Sequence, residues 1–148
     1  LGSDGGFADY TVVNKKNVVK LDKDTPLEIG ALVEPAAVAM QAIRESEMKF
    51  ADSVAVYGAG PIGLLTVIAA RAAGAKDIFV FDLSDTRLTK AKEVGATHAV
   101  NSANEDPIAY IQQYYPHGVD PTFEVAGVPI TLQQSIASTR ARGMVTIV

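Results

Sequence analysis

The sequence predicts a doubly wound α/β domain on a parallel sheet, and three observations carry that prediction. From Ser53 onward, short β-branched or aromatic runs alternate regularly with longer apolar stretches. Runs such as Val54–Tyr57 and Ile78–Phe81 do not alternate polar and apolar residues, which marks strands buried on both faces beneath crossover helices. The hexapeptide Gly58-Ala59-Gly60-Pro61-Ile62-Gly63 falls between the first of these strands and the helix after it, the context that a Rossmann glycine turn requires. Crossovers of this kind are right-handed almost without exception.

Each element has its own signals. Phe7–Val13 and Val18–Leu21 are extended, β-branched runs around Asn14-Lys15-Lys16-Asn17, which predicts a β-hairpin. A helical stretch runs from Leu27 to Leu32. Glu34-Pro35 is expected to break it, because a residue before proline is pushed away from αR, and a second helix follows from Ala36 to Met48. Val54–Tyr57 is a strand, and Ile62–Ala73 is an apolar helix closed by Gly74 as C-cap glycine. Ile78–Phe81 is the next strand. Ser84 or Asp85 caps a helix through Val94, ended by Gly95, and His98–Val100 is a short strand. Asp106-Pro107 reads as an N-cap followed by proline at the first helical position, opening a helix to Tyr115. Phe123–Val125 is a strand, Pro129–Thr139 a helix and Met144–Val148 a last strand at the sheet edge.

Composition narrows the function. The chain has 148 residues, 48% hydrophobic and 20% charged, with a formal net charge of −4. It is long enough for one domain burying about two-thirds of its unfolded surface, and too apolar for intrinsic disorder. The acidic balance argues against nucleic acid as a partner, since a basic face would be needed. With no cysteine, neither a disulfide framework nor a thiolate metal site is available; a cytoplasmic location fits. The apolar run Val54–Ala70 is interrupted by Gly58, Gly60, Pro61 and Gly63, so it reads as strand, turn and helix rather than a membrane span. A first residue Leu1 in place of Met, with no charged leader and apolar stretch after it, points to a cut or processed segment without a signal peptide.

The glycine turn carries a chemical expectation. Gly58 permits the tight turn, Gly60 lets backbone approach a pyrophosphate, and Gly63 lets the helix lie close to the strand. The anion would then sit at a helix N-terminus. Pro61 has no N–H, so Ile62 and Gly63 are the expected donors. A tight turn with no ligand is the plainer alternative. Asp82 ends the second strand 19 residues after Gly63, with Leu83 beside it. A carboxylate there accepts both adenosine ribose hydroxyls and repels a 2′-phosphate, which selects NAD over NADP. Its bland alternative is a helix-preceding cap. Arg87, five residues on, is placed to reach the ribose 3′-OH; a role against a 2′-phosphate conflicts with Asp82. Val125-Ala126-Gly127 follows the fourth strand at the topological switch point, where it either lines the cofactor crevice or is an ordinary turn. His98 and His117, the only histidines, have no zinc-site spacing.

Gly5-Gly6-Phe7-Ala8-Asp9-Tyr10, Glu34-Pro35, the glycine hexapeptide, Phe81-Asp82-Leu83-Ser84 and Gly127-Val128 together resemble the medium-chain dehydrogenase/reductase family. The branch they look like is that of the zinc-dependent polyol, butanediol and threonine dehydrogenases. The resemblance implies a piece of a larger enzyme. Residues 1–24 would be a hairpin left from a GroES-like catalytic domain, and residues 25–148 an NAD-binding Rossmann domain stopping before its sixth strand. That strand commonly pairs across a subunit interface, so a homo-oligomeric parent is implied.

The implied parent is an oxidoreductase transferring hydride between a secondary alcohol or diol and NAD, with the substrate oxygen polarised by zinc. By resemblance Glu34 matches a zinc-proximal carboxylate, binding directly or through water, and Val38 would face the nicotinamide. Glu34 alone cannot hold zinc, which takes three protein ligands in a catalytic site; its bland reading is a solvated glutamate. Gln41 departs from the histidine often found near this position in the branch. The chain by itself is expected to bind NAD(H) and do no chemistry. Rival readings are a zinc-free quinone reductase type, against which Glu34-Pro35 and Asp82 count, and a non-catalytic nucleotide-sensing module. A methyltransferase would want an acid where Tyr57 stands.

Overall fold

The computed structural model describes residues 5–148. The chain divides into two compact units, the first ending at Ala31 and the second beginning at Leu32.

The hairpin expected in the first unit is not formed. Residues 5–24 contain no strand, only a 3₁₀ turn at Lys15–Asn17 capped by the Asn14 side chain, which accepts from Lys16 N at 3.1 Å. Phe7, Tyr10, Val12 and Val19 are almost wholly exposed. Two isolated strands with no third strand and no packed face are marginal in water, so β propensity alone does not make a ladder here. The unit ends in a short helix, α1 (Leu27–Ala31).

The second unit holds five parallel strands, β1 (Val54–Tyr57), β2 (Ile78–Asp82), β3 (His98–Asn101), β4 (Thr122–Glu124) and β5 (Val145–Ile147). Their order in the sheet is β3-β2-β1-β4-β5. The order reverses between β1 and β4, which makes the gap beyond their carboxyl ends the switch point. Helix α2 (Val33–Glu45) precedes β1, and between the strands run α3 (Pro61–Ala72), α4 (Asp85–Val94), α5 (Pro107–Tyr114) and α6 (Pro129–Ser138). No helix among the described residues is long and apolar enough to cross a membrane.

The absence of polar–apolar alternation has a direct cause. Val54, Val56, Ile78 and Val80 point into one core with Ala39, Ile43, Val67, Ala70 and Leu88 from α2, α3 and α4. Their alternates Ala55, Tyr57, Phe79 and Phe81 point into a second core with Val100, Ile111 and Val119. Every residue of β1 is fully buried, and each large side chain among them contributes about 1.5–3 kcal/mol.

The boundaries of α2 and β4 differ from the sequence reading in ways that bear on the site. The break expected at Glu34-Pro35 does not occur, because α2 starts at Val33 and places Pro35 in the first turn, where a missing N–H removes no intrahelical bond. Its end falls earlier too, at Glu45 rather than Met48. β4 begins and ends one residue earlier than expected, which puts Glu124, not Val125, at its carboxyl end. The remaining caps are as read: Ser84 accepts from Arg87 N, Asp106 accepts from Ala109 N at 2.9 Å, and Gly74 and Gly95 take positive φ.

His98 stacks on Phe79 at 4.3 Å between centroids and meets Tyr110 and Tyr114 on its other sides. Burial in this aromatic cluster lowers its pKa below the usual 6.5, a nearby Asp77 charge opposing it in part. A depressed histidine pKa means that the unfolded chain takes the proton first. Stability should therefore be complete above about pH 7 and fall as pH drops through 6.5. Histidine ring NMR against pH, with urea midpoints at pH 7.5 and 5.5, checks this; a His98 titrating at or above 6.5 would contradict it.

Candidate functional site

The carboxyl ends of β1, β2 and β4 converge on one cleft of about 520 Å³, lined by Gly58, Phe81, Asp82, Leu83, Ser84, Arg87, Ser102, Ala126, Val128, Ile130 and Thr131. Three glycines of the β1–α3 turn differ in what they do. Gly58 has φ +110°, and a Cβ there would meet Ala126 N and Cβ at 3.1 Å. Its own N–H donates to Phe81 O at 2.8 Å. The turn after β4 thus packs on the turn after β1. At Gly63 a Cβ would lie 1.9 Å from Gly58 O, so α3 can sit on the turn only without a side chain.

Gly60 is another matter. It has φ −71° and ψ −176°, extended backbone open to any residue, and a Cβ would meet nothing within 4 Å. Neither conformation nor packing requires glycine at this position. Gly60 is the N-cap of α3 and Pro61 its first residue. The amides of Ile62 and Gly63 therefore belong to the first turn, which has no intrahelical acceptors, and the positive end of the helix dipole lies beside them.

Asp82 does more than wait for a ligand. Its Oδ2 accepts from Ala59 N at 2.7 Å and its Oδ1 from Ser84 N at 2.8 Å, tying the glycine turn to the turn that opens α4. Its side chain is 10% exposed, and a carboxylate has about four acceptor positions, so two are left for another donor. Arg87, 60% exposed, stands 3.8 Å from Oδ2, a pairing worth little in water.

The cleft thus brings together Gly58, Asp82, Leu83, Arg87 and Ala126 of the residues singled out in the sequence. Gly60, Pro61, Ile62 and Gly63 are on the adjoining turn, Val125 is half-buried beneath it, and Gly127, with φ +72°, faces open space. Val38 and Glu34 are elsewhere, in a second hollow of about 520 Å³ shared with Gln41, Glu45 and the end of β5. Glu34 is exposed in the first turn of α2, where a carboxylate is favoured by the dipole. The chain has no cysteine, and no group of three or more His, Asp or Glu among the described residues could hold a metal. These residues do not hold a zinc ion by themselves.

Sequence reasoning missed Glu124, which is buried at the end of β4 and accepts from Ala126 N (2.9 Å), Gly127 N (3.0 Å) and the Thr131 hydroxyl (2.7 Å) through one oxygen, Oε1. It was hidden because the strand was drawn one residue late. An acid two residues before a small-residue turn at the switch point was the available signal. Val128, Ile130 and Thr131 were also missed, since nothing in an apolar α6 terminus marks the side it turns to a cleft.

A strand, glycine turn and helix with an acid closing the next strand form a dinucleotide frame on many folds of this class, and comparison with known proteins narrows the choice. Residues 61–148 match the model of the family described as zinc-binding dehydrogenase. The chain belongs to that family. What it carries is a Rossmann-type NAD-binding module. It is 46% identical over 147 residues to (R,R)-butanediol dehydrogenase of Bacillus subtilis strain 168, covering 99% of this chain and 42% of that protein. Sorbitol dehydrogenase of the same strain is 37% identical, covering 98% and 41%. The crystal structure of L-idonate 5-dehydrogenase from Escherichia coli K-12 superposes with a TM-score of 0.90 at 34% identity, covering 97% of this chain and 41% of that one. The chain spans about two-fifths of the length of the relatives it matches.

The contrast between two glycines is testable without ligand. Gly63→Ala should lose about 3 kcal/mol or fail to fold, because a backbone oxygen stands in the way. Gly60→Ala should change stability by less than about 1 kcal/mol. Urea unfolding of both variants measures this; equal losses would mean that the turn is constrained differently.

Proposed function

We propose that this chain is the NAD-binding part of a zinc-dependent dehydrogenase acting on a secondary alcohol or vicinal diol, residues 1–24 being a segment of that protein's catalytic domain. The observation that carries the cofactor half is Gly60, bare where neither backbone conformation nor packing asks for it, at a helix N-terminus suited to an anion. In this reading Ile62 and Gly63 donate to the pyrophosphate across Gly60, and Pro61 presets the first turn of α3. Asp82 accepts the adenosine ribose hydroxyls with the acceptor positions that Ala59 and Ser84 leave open. Leu83, Val128 and Ile130 give the cleft apolar walls that exclude water, and Arg87 stands over the ribose side. Val125, Ala126 and Gly127 form the wall on the β4 side.

When bound, the nicotinamide supplies the hydride acceptor or donor; this chain's residues hold and orient it. The substrate class rests on kinship. Butanediol, sorbitol and idonate in the names of the relatives are all polyhydroxylated, and the two stereocentres of an (R,R)-butanediol put its hydroxyls on secondary carbons. Glu34 and Val38, in the second hollow, are proposed to face the reacting end, with Glu34 one contributor to a metal site completed by residues outside this chain. A cytoplasmic, homo-oligomeric parent is part of the same proposal.

Calorimetric titration of the chain with NADH and NADPH tests the cofactor half. NADH should bind at least tenfold more tightly, and Gly60→Ala should weaken it by about tenfold or more while unfolding normally. Asp82→Asn, which keeps an acceptor for Ala59 N, should narrow the NADH–NADPH gap. Binding of neither nucleotide, or a preference for NADPH, would overturn the assignment.

A further inference from the structure

Glu124 is 3% exposed, and none of the three ion pairs among the described residues involves it. Its Oε1 accepts two backbone amides and faces the Thr131 hydroxyl, whose single proton is also within reach of Val128 O. Holding the turn occupies only one of the two carboxylate oxygens, Oε1. A glutamine carbonyl, with two lone pairs for the two backbone amides, would still hold the turn, and without the cost of burying an ion that no cation neutralises. A buried acid of this kind beside a cleft points to a use for the charge.

Its position suggests which use. Asp82, on the β2 side of the switch point, marks the adenosine half of the crevice, so the other mononucleotide lies on the β4 side. Glu124 closes β4 there, and its three hydrogen bonds fix the turn whose Ala126 packs on Gly58. Oxidised nicotinamide carries a positive ring charge, and reduced nicotinamide carries none.

We propose that Glu124 is a positioning residue for the nicotinamide half of the site, and that its carboxylate makes the site favour the oxidised, cationic cofactor over the reduced one. This rests on the dinucleotide reading above. The charge acts through the low-dielectric floor of the cleft, where screening by salt is weak, and the hydrogen bonds hold the turn at the height at which that charge is felt.

The experiment titrates the chain and its Glu124→Gln variant with NAD⁺, NADH and ADP-ribose, which lacks the nicotinamide, with urea midpoints recorded for both proteins. Glu124→Gln should weaken NAD⁺ roughly three- to tenfold, leave ADP-ribose within about twofold, and so lower the NAD⁺ to NADH affinity ratio. A merely structural role would weaken all three ligands together, and that result would overturn the proposal, as would an unchanged ratio. Glu124→Ala guards against a silent substitution: it removes the turn's acceptor, and ADP-ribose should then weaken as well. If the unmodified chain binds none of the three, the dinucleotide reading falls and takes this one with it, an outcome separate from an unchanged ratio in a chain that binds.

Discussion

Helix α3 can rest on the β1–α3 turn only because Gly63 has no side chain: a Cβ there would sit 1.9 Å from the carbonyl oxygen of Gly58. The rest of the site's geometry hangs on that close approach. It presses the first turn of α3 over the carboxyl end of β1 and leaves that turn's amides without intrahelical acceptors beside the crevice. Gly58, held at φ +110°, brings its backbone against Ala126 from across the switch point, so the turns after β1 and β4 touch. Packing of the glycine turn and closure of the cleft are thus one event.

Two carboxylates then lock what the glycines allow. Asp82 at the end of β2 accepts backbone amides of Ala59 and Ser84, and Glu124 at the end of β4 accepts those of Ala126 and Gly127. β1 lies between these two strands, so the turn after it is flanked by an acid on each side. Charge-assisted acceptors suit this task, since turns after parallel strands leave amides that no ladder satisfies. The two differ in accessibility. Asp82 lines the cleft and keeps acceptor positions for a ligand, whereas Glu124 lies beneath it and acts through the turn that it holds.

Much of this was legible in the sequence because local rules and tertiary needs agree. The strands of the Rossmann unit lack polar–apolar alternation since both faces are buried, and Asp106-Pro107, Ser84, Gly74 and Gly95 mark helix ends by chemistry that does not depend on distant contacts. The readings that departed did so where context decides. Phe7–Leu21 has strand composition but no neighbouring strand to bond to, and strand propensity is a preference for a half-buried pleated surface rather than a backbone instruction. Pro35 was read as a break, yet proline inside a first turn removes nothing the helix uses. Glu124 was invisible because drawing β4 one residue late put it in the middle of the strand rather than at the carboxyl end, where the turn amides need an acceptor.

The separation of the two hollows bears on how such a module works. Glycine turn, Asp82 and the β4 turn enclose one cleft, while Glu34 and Val38 face another across α2 and β5 with no lining residue in common. Determinants that would recognise a dinucleotide are concentrated on the turns of the sheet itself, fixed by backbone packing and two internal carboxylates. Those that would meet a substrate are an exposed helix face bearing Glu34 and Glu45, with no group of three or more metal-ligating side chains among the described residues. Binding can be specified by this sheet alone because its donors and acceptors are main-chain groups or are anchored to them. Chemistry on an alcohol asks for several side chains converging within hydrogen-bonding distance of one oxygen, and a helix face that meets only the end of one strand cannot supply that convergence.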